Sequence, residues 1–240
     1  METASYIALS SQMALFRQLD VVANNIANAS TPAFKAERVL FAEFLDRQRP
    51  TGAPPLSFVQ DFGSARDNSQ GPLTRTANPL DVALQGDGYF KVQTPLGVRY
   101  TRAGRFQLDP SGQIVNAQGY ALLGSGDAPI NLPTDAADIT ITRDGTVSTA
   151  QGEAGRITVA TFADERTLTP AAGGLYVTDA QPTTAETPVL QGMVEESNVQ
   201  PIIEMTRLMN ISRNFGFAKD LGDGEADRAR NAIDKLGKVA

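Results

Sequence analysis

Glycine and proline are distributed unevenly along this 240-residue chain, and that distribution limits how it can fold. Residues 1–31 contain neither, whereas most of the 21 glycines and 14 prolines fall between Pro50 and Gly192. Because both residues mark turns, the middle of the chain predicts many short strands. The tail from Val194 returns to a helical spacing of apolar residues. We therefore predict an α+β fold in which long N- and C-terminal helices flank a central all-β domain.

The first segment predicts a helix with a wide apolar face. Its apolar residues follow 4-3-4 steps at Leu15, Leu19, Val22 and Ile26. Between Thr3 and Ala29 the charged residues are Arg17 and Asp20 alone. A helix that is apolar over much of its circumference needs partners on more than one side.

Three amides, Asn24, Asn25 and Asn28, interrupt this apolar helix. They can form an exposed polar face, or they can be buried. A buried Asn fixes the register and the partner number of packed helices at some cost in stability. The sequence leaves both interpretations open.

The last segment predicts a second long helix. Ser197 and Gln200 fit a capping box, and Pro201 falls in the first turn, where proline is tolerated. The residues that follow have the 3-4-3 spacing of a coiled coil, at Ile202, Met205, Met209 and Ser212, beside Phe215. This spacing predicts coiled-coil-like packing of the two terminal helices. Gly222 marks a soft point in the second helix.

The middle of the chain contains two clear hairpin signals. Strands 89–93 and 98–101 flank the turn 94–97, and Asp144-Gly145 joins two further strands. Residues 49–71 are rich in Pro, Ser and Gly, which predicts an extended connector. The predicted divisions are an N-terminal helix at 1–34, a connector at 35–70, a β-rich domain at 71–192 and a C-terminal helix at 193–240.

The composition removes several classes of function. Cys, His and Trp are absent, so Ser-His or Cys-His catalysis and thiolate or imidazole metal sites are excluded. The net charge of -6 argues against nucleic-acid binding. No segment has the apolar length of a membrane span, and the acidic start argues against a cleaved secretory signal. We predict no catalytic, cofactor-binding or metal-binding residues.

Three stretches carry a family resemblance. The first runs from Ala23 to Lys35 as Ala-Asn-Asn-Ile-Ala-Asn-Ala-Ser-Thr-Pro-Ala-Phe-Lys. It resembles the N-terminal signature of the bacterial flagellar rod and hook axial proteins, with Ala33 in place of the usual glycine. The matching residues are Ala23, Asn24, Asn25, Asn28, Thr31 and Phe34. The C-terminal signature is similar at Ser197, Asn198, Val199, Glu204, Met205 and Arg213. The third stretch, 71–106, resembles the core domain of that family.

The resemblance implies a structural subunit that polymerises helically, with its terminal helices in an inner tube. It implies copies of the chain and other rod proteins, of the distal and the inner rod, as partners. It also implies the flagellar type III export apparatus as a partner and a place in the periplasm-spanning rod of the basal body. The residues that we expect at the assembly interface are Leu15, Leu19, Val22, Asn25, Ile26, Ile202, Met205, Met209 and Phe215.

Within this family, the length and the sequence 56–61 look most like the proximal rod subunit, and the distal rod subunit is the alternative. Two alternatives belong to other classes of protein. One is an adaptor or chaperone whose amphipathic ends grip a partner helix. The other is a peptidoglycan-acting enzyme that uses paired carboxylates such as Asp135 and Asp138.

Overall fold

The fold is known from a computed structural model, which describes residues 2–46, 56–133 and 138–237. The chain divides into two compact units. The helical unit comprises the described parts of 1–29, 36–67 and 199–240, and the β unit comprises those of 30–35 and 68–198. The predicted order of helix, β-rich region and helix is confirmed.

The helical unit is built from two helices and one hairpin. Helix α1 spans Glu2–Ala27 and helix α2 spans Pro201–Gly237. Strand β1 (Glu37–Asp46) pairs antiparallel with strand β2 (Leu56–Arg66). Helix α2 is continuous through Gly222, where the sequence predicts a soft point.

The two helices contact each other, but the predicted coiled-coil-like packing is wrong. A coiled coil buries the side chains of its apolar seam against the partner helix. Here Ile202, Met205 and Met209 of that seam are 81%, 51% and 61% exposed. The contact instead includes polar groups, since the Gln12 amide donates to the Ala218 carbonyl oxygen over 3.1 Å. Helix α1 also packs against the β1–β2 hairpin, which occupies part of its surface.

The β1–β2 hairpin stands where the sequence predicts an extended connector. Its register runs from Glu37 opposite Arg66 to Asp46 opposite Leu56, with a β-bulge after Leu40. Gly63, opposite Leu40, has φ 110°, a conformation that suits glycine at such an irregularity. The Pro-, Ser- and Gly-rich stretch does not by itself indicate this pairing, which depends on the β-forming residues 38–45 that precede it.

The β unit consists of short strands joined by tight turns. In chain order they are β3 (Leu73–Arg75), β4 (Val82–Leu84), β5 (Tyr89–Thr94), β6 (Gly97–Thr101), β7 (Phe106–Leu108), β8 (Ile114–Asn116), β9 (Ala121–Leu122), β10 (Thr140–Ile141), β11 (Thr146–Thr149), β12 (Gly152–Arg156), β13 (Val159–Thr161), β14 (Thr169–Ala171), β15 (Leu175–Val177), β16 (Thr183–Ala185), β17 (Val189–Gln191) and β18 (Met193–Glu195). The largest sheet runs β14-β15-β6-β5-β9-β8-β7, and β13 joins it by pairing with both β5 and β16. Strands β10-β11-β12 form a second sheet, while β17 pairs with β4 and β18 with β3.

Both hairpins predicted from their turns are confirmed. Strand β5 pairs with β6, and β10 pairs with β11 across Gly145, which has φ 87°. The main core of the unit lies among strands from β4 to β17 and includes the fully buried Phe90. A smaller aromatic cluster holds Tyr89, Tyr100 and Tyr176. The β unit therefore has an apolar core of its own.

Candidate assembly interface and motif residues

Asn25 joins three elements of the helical unit. It is 1% exposed, and its side-chain amide pairs with the backbone of Glu37 in both directions. Its Nδ2 donates to the Glu37 carbonyl oxygen over 2.9 Å, and its Oδ1 accepts from the Glu37 N–H over 3.0 Å. The same Nδ2 lies 3.5 Å from Oε2 of Glu204 on α2. Asn25 thus fixes the start of β1 against α1 and contacts α2 within one chain.

The other two asparagines of the motif act at the end of α1. The Asn28 backbone N–H and side-chain Nδ2 both donate to the Asn24 carbonyl oxygen, over 3.1 and 2.9 Å. Helix ends leave carbonyl groups without intrahelical partners, and Asn28 satisfies one of them. Asn24 itself is exposed. Of the two roles predicted for these amides, burial therefore applies to Asn25 and exposure to Asn24.

Ala33 keeps the turn that follows α1 although it stands in place of glycine. Its φ is 59°, in the left-handed region, and it is buried. Its N–H donates to the Glu195 carbonyl oxygen over 2.8 Å, and the Phe34 N–H donates to the Thr31 carbonyl oxygen over 3.2 Å. These bonds hold Ala33 in a conformation that costs an L-residue about 1–2 kcal/mol.

Replacing Ala33 by glycine should therefore stabilise the protein. Relief of the left-handed conformation outweighs the extra freedom that glycine has in the unfolded chain, so we expect a gain of about 0.5–1 kcal/mol. Urea unfolding followed by circular dichroism measures it. The matched control is Ala36→Gly, at a residue without positive φ, which should lower stability. A loss of stability in Ala33→Gly as large as in the control would contradict the assignment.

The C-terminal motif residues lie before and within the first turns of α2. Glu204 is buried, and its carboxylate accepts a hydrogen bond from the Arg207 guanidinium one turn later. Ser197 and Val199 are also buried. The Asn198 amide donates to the Ser69 carbonyl oxygen over 3.1 Å. Ala23, Met205 and Arg213 have exposed side chains.

A buried carboxylate that sequence reasoning missed, Glu195, lies in the β unit between two cations. Its Oε1 accepts from Lys35 Nζ over 2.6 Å, and its Oε2 lies 2.9 Å from Arg102 Nη2. All three side chains are at least nine-tenths buried. Burial lowers the pKa of the Lys35 ammonium, and the hydrogen bond to Glu195 opposes this shift. We call Lys35, Arg102 and Glu195 the Glu195 cluster.

The nine residues predicted at an assembly interface differ in how far their side chains are exposed. Val22 and Asn25 are buried within the helical unit, and Leu15, Leu19, Ile26 and Phe215 are half-buried. Ile202, Met205 and Met209 lie exposed on the first turns of α2. A second exposed apolar group, which the predicted interface does not include, lies on α1: Leu9, Met13 and Phe16. These three line a groove of about 530 Å³ together with Phe215. The exposed apolar residues on α2 and those on α1 both form surface of the kind that marks an interaction site.

Three family models match this chain in succession. The flagella basal body rod protein model matches residues 6–35, which cover most of α1 and the turn at Ala33. The flagellar hook protein FlgE/F/G D1 domain model matches residues 83–149. The flagellar basal body rod FlgEFG protein C-terminal model matches residues 190–218, which include Glu195 and the first half of α2.

Curated relatives extend this match to the whole chain. The flagellar basal-body rod protein FlgF of Caulobacter vibrioides is 40% identical, with 100% of both chains covered. This chain belongs to the flagellar basal-body rod protein family. The FlgF of Rhizobium meliloti is 36% identical with 99% of both chains covered, whereas the FlgG of Agrobacterium fabrum is 33% identical over 87% of this chain. The family resemblance read from the three motifs is confirmed, and the chain is a structural subunit of the flagellar rod.

Membership of the flagellar rod family decides among the alternatives. The family is one of structural proteins, assembling with other rod proteins in the basal body, and is not an enzyme family. Of the carboxylates considered for an enzyme, Asp135 lies outside the described residues and Asp138 is exposed with φ 58°. None of the helices in the described ranges has the length and apolarity to cross a membrane.

Proposed function

We propose that this chain is the subunit of the proximal rod and that it polymerises helically to transmit motor torque across the periplasm. The observation that carries the proposal is the coverage of its relatives. The FlgF relatives from Caulobacter vibrioides and Rhizobium meliloti align over 100% and 99% of both chains. The FlgG relatives from Agrobacterium fabrum and Bacillus subtilis align over 87% and 88% of this chain. Full-length similarity to FlgF favours the proximal over the distal rod.

In this proposal the nine predicted residues act together at the interface between subunits. The exposed side chains of Ile202, Met205 and Met209 make the contacts between subunits, because burying them removes apolar surface from water. Leu15, Leu19, Ile26 and Phe215 extend that surface as half-buried residues. Val22 and Asn25 contribute from inside by holding α1, the hairpin and α2 in position.

Replacing Met209 by aspartate should abolish assembly of the rod and leave the subunit folded. The side chain is 61% exposed, so a charge there costs the isolated chain little, whereas burying that charge without a partner in an apolar contact is costly. The measurement is swimming motility and the amount of the chain in isolated basal bodies. We expect both to be lost. Leu19→Asp should also abolish assembly.

The matched control is Asn210→Asp, which places the same charge on the next, also exposed, residue of α2. It should assemble and swim like the wild type. Circular dichroism of purified Met209→Asp should show native secondary structure. Normal motility of Met209→Asp and of Leu19→Asp would refute the proposed interface.

Membership of the family also supports a proposed export route for this chain and a set of neighbouring subunits in the rod. In the proposal the chain leaves the cell through the flagellar type III export apparatus without a cleaved signal. It then contacts copies of itself together with inner rod and distal rod subunits. Mass spectrometry of basal bodies tests the route, because the chain in the rod should retain the peptide that begins at or next to Met1. A rod-associated chain that has lost its first 15 to 30 residues, the usual length of a cleaved signal, would contradict it.

A further inference from the structure

Three segments of the β unit converge on Glu195. They are residues 30–35, 68–71 and 193–198, and each continues directly into the helical unit along the chain. We call them the linker segments. Glu195 lies in the third of them, at the end of β18. Lys35 is the last residue of the first.

Backbone hydrogen bonds tie the linker segments to one another. The Asn198 N–H donates to the Phe34 carbonyl oxygen over 3.2 Å. The Glu196 N–H donates to the carbonyl oxygen of Pro72, next to the second segment, over 2.9 Å. The backbones at Gly71 and Glu196 also approach each other closely. Glycine is required at residue 71 because a Cβ there would lie 2.1 Å from the Glu196 carbonyl oxygen.

The buried charges add bonds that reach every linker segment. Lys35 Nζ donates to Glu195 Oε1 over 2.6 Å and to the Ser69 carbonyl oxygen over 2.7 Å, so it connects all three. The Gly71 N–H donates to the same Oε1 over 3.1 Å. Arg102 binds Oε2 and also donates to the carbonyl oxygens of Gly86 and Gly88, over 2.7 and 2.6 Å. Through Arg102 the linker segments are fixed to the turn between β4 and β5.

We propose that the Glu195 cluster locks the three linker segments to one another and to the rest of the β unit. A lone pair of buried charges is weak grounds for inferring stability, but buried ionic groups have an attested role in fixing register. Here a shift of one linker segment breaks bonds to the other two, so the segments move with the β unit and not independently. Torque that reaches one segment is then shared among all three. The torque role rests on the proposed rod function, whereas the locking does not.

The test is Lys35→Met in the full chain, which keeps an unbranched side chain and removes the charge and its hydrogen bonds. Hydrogen exchange measured by mass spectrometry should rise about tenfold or more in peptides covering 30–35, 68–72 and 193–198. Exchange in β4 and β5, within the main core, should stay unchanged. The control is Lys91→Met, which breaks the ion pair with Asp127 at the surface of the same unit and should leave the linker segments protected.

Two outcomes of the exchange experiment would overturn the lock. One is wild-type protection of the linker segments in Lys35→Met, and the other is an equal rise throughout the β unit, which would make Lys35 a general stabilising residue. Should Lys35→Met fail to fold, Lys35→Gln removes the charge but keeps a polar end, and it must raise exchange in all three linker segments relative to Lys91→Met.

Motility tests the torque role separately. Cells carrying Lys35→Met should swim normally in dilute medium and lose speed in viscous medium, relative to Lys91→Met. Equal speeds of the two variants in viscous medium would overturn the torque role. The exchange result would stand even if the chain were not the proximal rod subunit.

Discussion

Replacing Gly104 by alanine should prevent the β unit from folding. A Cβ at this residue would lie 1.6 Å from the Val82 carbonyl oxygen and 2.7 Å from its carbon, far inside van der Waals contact. The Gly104 carbonyl oxygen accepts from the Val82 N–H over 2.8 Å, and Val82 belongs to the main core. Backbone cannot withdraw as a flexible side chain can, so we expect a loss of more than 4 kcal/mol. A loss of that size is a large share of the roughly 5–15 kcal/mol that keeps a typical domain folded.

Circular dichroism and thermal unfolding of Gly104→Ala measure this loss. The control is Gly97→Ala in the β5–β6 turn, where φ is 103° and nothing lies within 4 Å of the added Cβ. This control introduces backbone strain without a steric clash, and it should cost about 1 kcal/mol of the free energy of unfolding. If Gly104→Ala melted within a few degrees of Gly97→Ala, the close approach of the two backbones would be wrong.

Local patterns predicted the elements of this fold better than their packing. The absence of glycine and proline before Pro32 and the turn residues at Gly97 and Gly145 were sufficient for α1 and two hairpins. The coiled-coil-like packing failed because an apolar 3-4-3 spacing is compatible with burial against any partner. In the structure Met205 and Met209 remain exposed. Periodicity identifies a face of a helix and does not identify what covers it.

The motif residues show the same limit. Sequence reasoning singled out Asn25 and Glu204, but their contact joins residues 179 positions apart, which no local spacing encodes. Glu195 was missed although it lies two residues before the recognised Ser197-Asn198-Val199 stretch. Its partners Lys35 and Arg102 lie 160 and 93 positions away. The stretch 23–35 contains one cation, Lys35, whereas 71–106 contains five, so no local signal singles out Arg102.

Replacing Glu195 by alanine should cost about 3–5 kcal/mol of the free energy of unfolding. The carboxylate is 1% exposed and pairs with both Lys35 and Arg102, which are themselves buried. Removing it leaves two buried cations without an anion, together with the Gly71 N–H, which loses its acceptor. Most of the expected cost is the penalty for those stranded groups and not the strength of the ion pairs themselves.

Urea unfolding of Glu195→Ala, read from the β signal in circular dichroism, measures the loss. The matched control is Asp127→Asn, which removes the carboxylate that lies 2.9 Å from Lys91 in an ion pair where Asp127 is more than half exposed. Asparagine tolerates the left-handed backbone of residue 127, where φ is 57°, so the control isolates the surface charge. It should cost less than about 1 kcal/mol.

Adding Lys35→Met to Glu195→Ala should recover part of the loss, because one of the two stranded cations is then gone. A double variant no more stable than Glu195→Ala would show that Lys35 is not buried as an uncompensated charge.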